Sequence, residues 1–197
     1  MKRCVTRTDR RTRRVGARRH GVATVWIIAS FPAIACLLCV VLEFANLWMA
    51  RVELRNALDA AALSAVKTWG EGGSTIAARM DGQTAAALNT VTGTPVTLGL
   101  NTGGGTNGNG ANTGNTLLGT IAGVPGALTF DCNGVPNCAG GDDFGVRTSL
   151  TMQVNSVCDT VFGSAIGPFN VTSVSYARFP CPNGPPELIR IQTFTCP

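Results

Sequence analysis

Between Gly21 and Leu42 the chain reads GVATVWIIASFPAIACLLCVVL, 22 residues without a charged side chain. At about 1.5 Å per residue a helix of that length measures roughly 33 Å, enough to cross a hydrocarbon core of about 30 Å. A buried helix of a soluble domain is seldom so long and so uniformly apolar, so the run predicts a transmembrane helix over 21–42. Trp26 and Trp48 fall near its two ends, where an indole with one N–H donor suits the interface. Pro32 sits mid-span and removes one backbone donor; the expectation is a kink, which membrane helices tolerate better than soluble ones.

Charge fixes the orientation. The net charge is +5, yet Lys2, Arg3, Arg7, Arg10, Arg11, Arg13, Arg14, Arg18 and Arg19 all lie in the first twenty residues, opposed there only by Asp9. That tail is +8 and the remainder −3, a split that excludes an evenly basic nucleic-acid-binding domain. Basic residues stay on the cytoplasmic side, so residues 1–20 are expected inside, against an anionic leaflet, and everything after Glu43 outside. Two other readings stay open: a signal peptide cut after Ala35, releasing a secreted binding protein, and a lipoprotein anchored through Cys36. An uncleaved signal anchor is preferred, because LLCVVL continues beyond the cut and Ala33 stands where a lipoprotein signal wants Leu.

Residues 43–69 contain no Gly or Pro and are rich in Ala, Leu, Arg and Glu, which favours helix. Phe44, Leu47, Trp48, Leu54, Leu58, Ala61, Ala62 and Val66 recur at three- and four-residue steps and predict an amphipathic helix continuing the span. The GEGG cluster at 70–73 ends it. The alanines at 57, 60, 61, 62 and 65 permit close helix approach, either within the domain or at an assembly face; packing within the domain is preferred.

RRHGVATVWIIASFP followed by LEFANLWMARVELRNALDAAALSAV resembles the TadE/TadG-like family of Flp (tight-adherence) pilus-assembly proteins. Gly21, Pro32, Glu43, Arg51, Leu54, Asn56, Ala57, Asp59, Ala60, Ala61, Ala62 and Leu63 match that family's pattern, and the closing LRNALDAAAL phrase is its specific part. The resemblance implies a single-pass protein of the bacterial inner membrane, its C-terminal domain periplasmic or extracellular, with pilus-assembly or envelope proteins as partners. The pseudopilin branch carries Glu five residues after its processed Gly, where this chain has Trp26. That departure favours the TadG-like branch, a membrane-anchored accessory or minor-pilin-like component, over a pilin subunit. Longer members of the branch can carry an adhesive von Willebrand type A domain with an Asp-x-Ser-x-Ser metal motif, a string absent here.

Residues 70–197 read as a β-rich outer domain. Ser74 is an N-cap for a helix over 74–91, weakened by Gly82. Residues 98–126 are dominated by Gly, Asn and Thr and predict a flexible surface loop. Strands are expected at 127–130, 147–155, 171–178 and 188–194. The fold class is thus α+β: a transmembrane helix continuing into a long amphipathic helix, then a small disulfide-stapled β-rich domain. Of the five outer cysteines, Cys132 with Cys138 and Cys181 with Cys196 are the pairs favoured by closeness in sequence, leaving one thiol; other pairings, and zinc, stay open. Cys36 and Cys39 are expected to pack as small apolar residues.

Catalysis finds little support. The single histidine, His20, lies in the basic tail, so a His-based triad or multi-His metal site in the outer domain is impossible within this chain. Asp142 and Asp143 follow a Gly-Gly pair and read as a solvated turn; a hydrolase using Asp142 is the remaining enzymatic reading. No phosphate loop or dinucleotide fingerprint is present, and neither cofactor nor metal is expected.

Overall fold

Alanine, leucine and valine in steps of three and four produce the longest element, α1 (His20–Gly70), which runs through Pro32. The computed structural model describes residues 20–111, 113–124, 126–163 and 167–196, and the chain divides into two units, Met1–Leu42 and Glu43–Pro197. In the first unit the described part is α1 alone. Its large apolar side chains from Val25 to Leu42 are more than half exposed, and none of its most apolar window is buried. Among the described residues there is one helix long and apolar enough to cross a membrane.

In the second unit α1 ends in a Schellman turn. Gly72, at φ 91°, donates to the Trp69 carbonyl at 3.1 Å, and Gly73 donates to the Thr68 carbonyl at 2.9 Å. A left-handed residue is needed there, and glycine adopts it without Cβ strain. Next comes α2 (Thr75–Ala87), capped as the sequence predicts by Ser74, whose hydroxyl accepts from Ala77 N at 3.1 Å. Gly82 has a packing reason: a Cβ there would lie 3.1 Å from both the Ala61 carbonyl oxygen and the Ala65 methyl. The two helices meet at that point.

A two-residue hairpin, β1 (Thr90–Val91) with β2 (Thr94–Pro95), follows. The main sheet comprises β3 (Thr116–Ala122), β4 (Thr129–Asp131), β5 (Asp143–Val154), β6 (Phe169–Phe179), β7 (Glu187–Leu188) and β8 (Thr193–Thr195), with α3 (Val157–Phe162) between β5 and β6. Its order is β7-β6-β5-β3-β4-β8, antiparallel except for the parallel pair β4 and β8. The fold is α+β, as the sequence implies.

Strand alternation divides the core in two. Facing the helices, Val146, Val154, Val171, Ala177 and Phe179 pack with Ala50, Leu54, Ala57, Leu58, Ala61, Ala62, Ala65, Val66 and Trp69 of α1. Here Thr148 Oγ1 donates to the Leu58 carbonyl at 3.0 Å. On the other side Leu117, Ile121, Leu128, Phe130 and Cys132 form a smaller cluster beneath Ile189 and Ile191. The alanine stripe thus packs on its own domain, the outcome preferred above.

Three expectations are corrected. Residues 98–126 hold β3, the strand between β4 and β5, because the uncharged stretch Thr116–Ala122 buries Leu117 and Ile121 on one face and Leu118 on the other. The preferred disulfide pairing is also overturned. Cys132 bonds Cys196 and Cys138 bonds Cys181, with Cα separations of 5.5 and 5.1 Å. Topology decides this: β4 and β8 lie side by side with Asp131 opposite Thr195, so the cysteines that follow each are neighbours. Likewise Phe144 opposite Phe179 brings the segment before β5 to the one after β6. Cys158 is disulfide-bonded as well, so it is not a surplus thiol, and Cys39, expected to pack as a small apolar residue, is disulfide-bonded too.

Non-reducing peptide mapping is expected to recover the 132–196 and 138–181 linkages and none between 132 and 138. Replacing Cys138 and Cys181 together with Ser, which opens a link across 43 residues, is expected to lower stability by about 4 kcal/mol, read from urea denaturation in detergent.

Candidate functional site

The part of α1 that first enters the folded domain is held by Glu43. This carboxylate, 8% exposed, lies at the start of α3: Oε2 accepts from Ser156 Oγ at 2.9 Å, Val157 N at 2.9 Å and Cys158 N at 3.2 Å. These donors are ones a helix start leaves without intrahelical partners, and a negative charge there is favourable. Ser156 also caps α3 itself by accepting from Asp159 N at 3.1 Å. Three residues along α1, Asn46 Nδ2 donates to the Asn155 carbonyl at 3.2 Å. Residues 155–158 are thereby clasped to the helix over a sequence separation of more than 100 residues.

The other residues singled out in the sequence lie in different settings. Leu54, Ala57, Ala61 and Ala62 are fully buried core, and Leu63 is partly buried against it. Asp59 accepts from Ser175 Oγ at 2.5 Å and lies 3.9 Å from Arg55, one turn before it. Trp48, Arg51 and Asn56 are exposed. Trp26 and Pro32 stand on the exposed apolar part of α1, whereas Arg18 and Arg19 lie outside the described residues. Arg51 lines an open groove of about 450 Å³ with Phe44, Leu47 and Trp48 on one side and residues 169–172 on the other.

Asp143 does not act with Asp142 as a free carboxylate pair. Its Oδ2 lies 3.4 Å from Arg178 Nη1, and its Oδ1 accepts from Cys181 N at 2.9 Å, so it ties the ends of β5 and β6 together.

Arg79 escaped the sequence reading. On α2, it is 1% exposed, and among the described residues it has no carboxylate partner. Its guanidinium donates to the Thr75 carbonyl at 3.2 Å, the Asn107 carbonyl at 3.1 Å and Asn109 Oδ1 at 2.7 Å. Asn109 in turn accepts from Leu118 N at 3.1 Å and donates to the carbonyls of Leu118 at 2.8 Å and Cys132 at 3.0 Å. One amide thus bridges α2, the Gly/Asn/Thr segment, β3 and the residue after β4. Burial lowers the Arg79 pKa from its ordinary value, since removing the cation from water disfavours the charged form. No local signal marks this arginine; only its place on the α2 face toward residues 107–109 does.

The matching family model is that of the Tad family, Flp pilus-assembly TadE/G-like, over residues 21–87. Over residues 21–87 the chain is similar to that family. No curated protein and no solved structure matches the chain. The TadE/G-like segment takes in α1 from Gly21 onward and all of α2, and it ends at Ala87, the last residue of α2. It covers the helical side of the core and none of the main sheet.

Two substitutions probe the geometry. Glu43→Ala is expected to destabilise the outer domain by about 2–3 kcal/mol and Glu43→Gln by about 1 kcal/mol, because the amide keeps one acceptor without the charge. Hydrogen exchange at the amides of residues 157 and 158 should accelerate in the same order. Arg79→Ala is expected to cost about 3 kcal/mol, since it leaves Asn109 Oδ1 with one donor fewer and the Asn107 carbonyl unpaired. Thermal unfolding measures it, and limited proteolysis should then cut first within residues 99–115.

Proposed function

We propose that the protein is a membrane-anchored accessory, minor-pilin-like component of a Flp/Tad-type pilus or secretion apparatus, nearer the TadG-like branch. The observation that carries this reading is the TadE/G-like match over residues 21–87, which includes both the apolar run and the helical face on which the outer domain is built. The match extends to both sides of Ala35 and Cys36, and this favours an uncleaved anchor over release or lipidation there.

In this role the basic tail stays in the cytoplasm against anionic headgroups, residues 21–42 span the inner membrane, and residues 43–197 stand outside. The disulfides fit an oxidising compartment. The work is positioning and recognition rather than catalysis. Trp26, in place of the pseudopilin glutamate, supports an accessory position over a place in the fibre.

Protease added to spheroplasts is expected to digest the outer domain and leave a membrane-protected N-terminal fragment. Replacing the nine basic residues of the tail with Ser should scramble that orientation. Deleting the gene should abolish or reduce pili by electron microscopy, with rescue by the full chain. A mature N-terminus at Val22 or Cys36, or unchanged piliation in the deletion strain, would contradict the proposal.

A further inference from the structure

Strand β6 is paired with β5 along its whole length, but with β7 only at Ala177 and Arg178. The last bond on the outer side is Ile189 N–H donating to the Tyr176 carbonyl at 3.0 Å. Backbone groups alternate sides along a strand, so Val174, Thr172 and Asn170 turn their N–H and C=O groups to the open side. All three residues are exposed, and among the described residues nothing pairs with these groups. The stretch Asn-Val-Thr-Ser-Val over 170–174 carries no charge and no proline, the devices that ordinarily blunt an edge.

Alongside this edge runs α1, leaving two open grooves. One, of about 450 Å³, lies between Phe44, Trp48 and Arg51 and the start of β6. The other, of about 390 Å³, lies between Arg55 and Asp59 and the stretch Val174 to Tyr176, and residues 188–191 wall it beyond β7. Phe44 and Trp48 are 70% and 71% exposed. Arg51 is exposed, and no carboxylate among the described residues pairs with it.

We infer that the open edge of β6 is a strand-docking site: an extended segment of another envelope protein adds to the sheet antiparallel to β6, placing a carboxylate on Arg51 and an apolar side chain against Phe44 and Trp48. Main-chain bonds to 170, 172 and 174 supply affinity, and the side chains turned toward α1 supply selectivity.

Val171 packs at the level of Leu47, Ser175 bonds Asp59, and Phe179 lies at Gly70, so β6 ascends with α1. The opposite edge of the sheet is β8, where Thr193 N and Thr195 O are turned inward to Leu128 O and Cys132 N, leaving only Phe194 to offer groups outward. A strand entering antiparallel to β6 passes Arg51 before Trp48. Its signature is therefore an acidic residue followed two positions later by a large apolar one.

The inference rests on the proposed envelope role only for the identity of the partner. Unchanged piliation would remove that role and leave the site, whereas failure of the following measurement would remove the site and leave the role. The probe is the peptide acetyl-TVTETFTVT-amide, with a control carrying Lys in place of Glu, added to the full chain in lipid nanodiscs while hydrogen exchange is followed by mass spectrometry. The Glu peptide is expected to protect the amides of 172 and 174 and to bind at least about tenfold more tightly than the Lys peptide. Arg51→Glu, an exposed change, should reverse that preference. Thr172→Pro should abolish binding, and Thr172→Val should retain it. No protection at about 1 mM peptide, equal binding of the two peptides, or β6 amides already protected in the protein alone in a concentration-dependent way would overturn the site.

Discussion

The second unit depends on one helical face. From Ala50 to Trp69 the buried positions of α1 advance by three, four or one residue, and most are alanine. So small a side chain brings a neighbouring backbone close, and both partners exploit it. α2 approaches at Gly82, against the Ala61 carbonyl, and the sheet approaches near enough for Thr148 to bond the Leu58 carbonyl from the side. The larger side chains on that face, Leu54, Leu58, Val66 and Trp69, supply the apolar area, each worth roughly 1.5–3 kcal/mol when buried. Replacing the alanines by larger residues would separate the layers; replacing the leucines by alanine would empty them.

A helix with an exposed apolar first part and a buried second part needs something to fix where the folded domain begins. Glu43 does this by chemistry that neither lipid nor a hydrocarbon core can supply. Its carboxylate satisfies two backbone N–H groups and a hydroxyl at the start of α3, and one residue earlier the uncharged run ends. The acidic position of the family pattern thus has a structural meaning in this chain. It joins residues 155–158 to α1, so the connection between β5 and β6 cannot drift from the helix.

Much of this was legible in the chain. The uncharged run, the amphipathic period after it, the Ser74 cap and the β-branched stretches that became β5 and β6 each announce themselves locally, because helix and strand periodicities and caps are local properties. What failed was non-local. Composition averaged over 98–126 concealed Thr116–Ala122, a short apolar strand inside a Gly/Asn/Thr segment. Closeness in sequence misassigned the disulfides because strand order, with β8 beside β4, sets which cysteines are neighbours. The burial of Arg79 and the open edge of β6 depend on which elements meet, and nothing within a few residues of either position encodes that.

The low charge content follows from how the outer domain closes its polar groups. Where another protein would set an ion pair inside, this one uses neutral side chains against backbone. Asn109 satisfies β3 and the Cys132 carbonyl together, Asn107 donates to the Gly134 carbonyl at 2.8 Å, and Asn115 accepts from Gly99 N at 3.0 Å while donating to the Ser149 carbonyl at 2.9 Å. A carboxamide offers donor and acceptor at once and pays no Born penalty on burial. Asparagine therefore joins irregular backbone to strands where Lys or Glu would be desolvated at a loss. Glu43 and Arg79 are the exceptions, and each is met by neutral groups rather than by a counter-ion: a hydroxyl and two backbone N–H groups for Glu43, carbonyl and amide oxygens for Arg79. The glycine- and asparagine-rich composition that suggests disorder is, between α2 and β3, the means by which a chain poor in charge ties an irregular segment into its core.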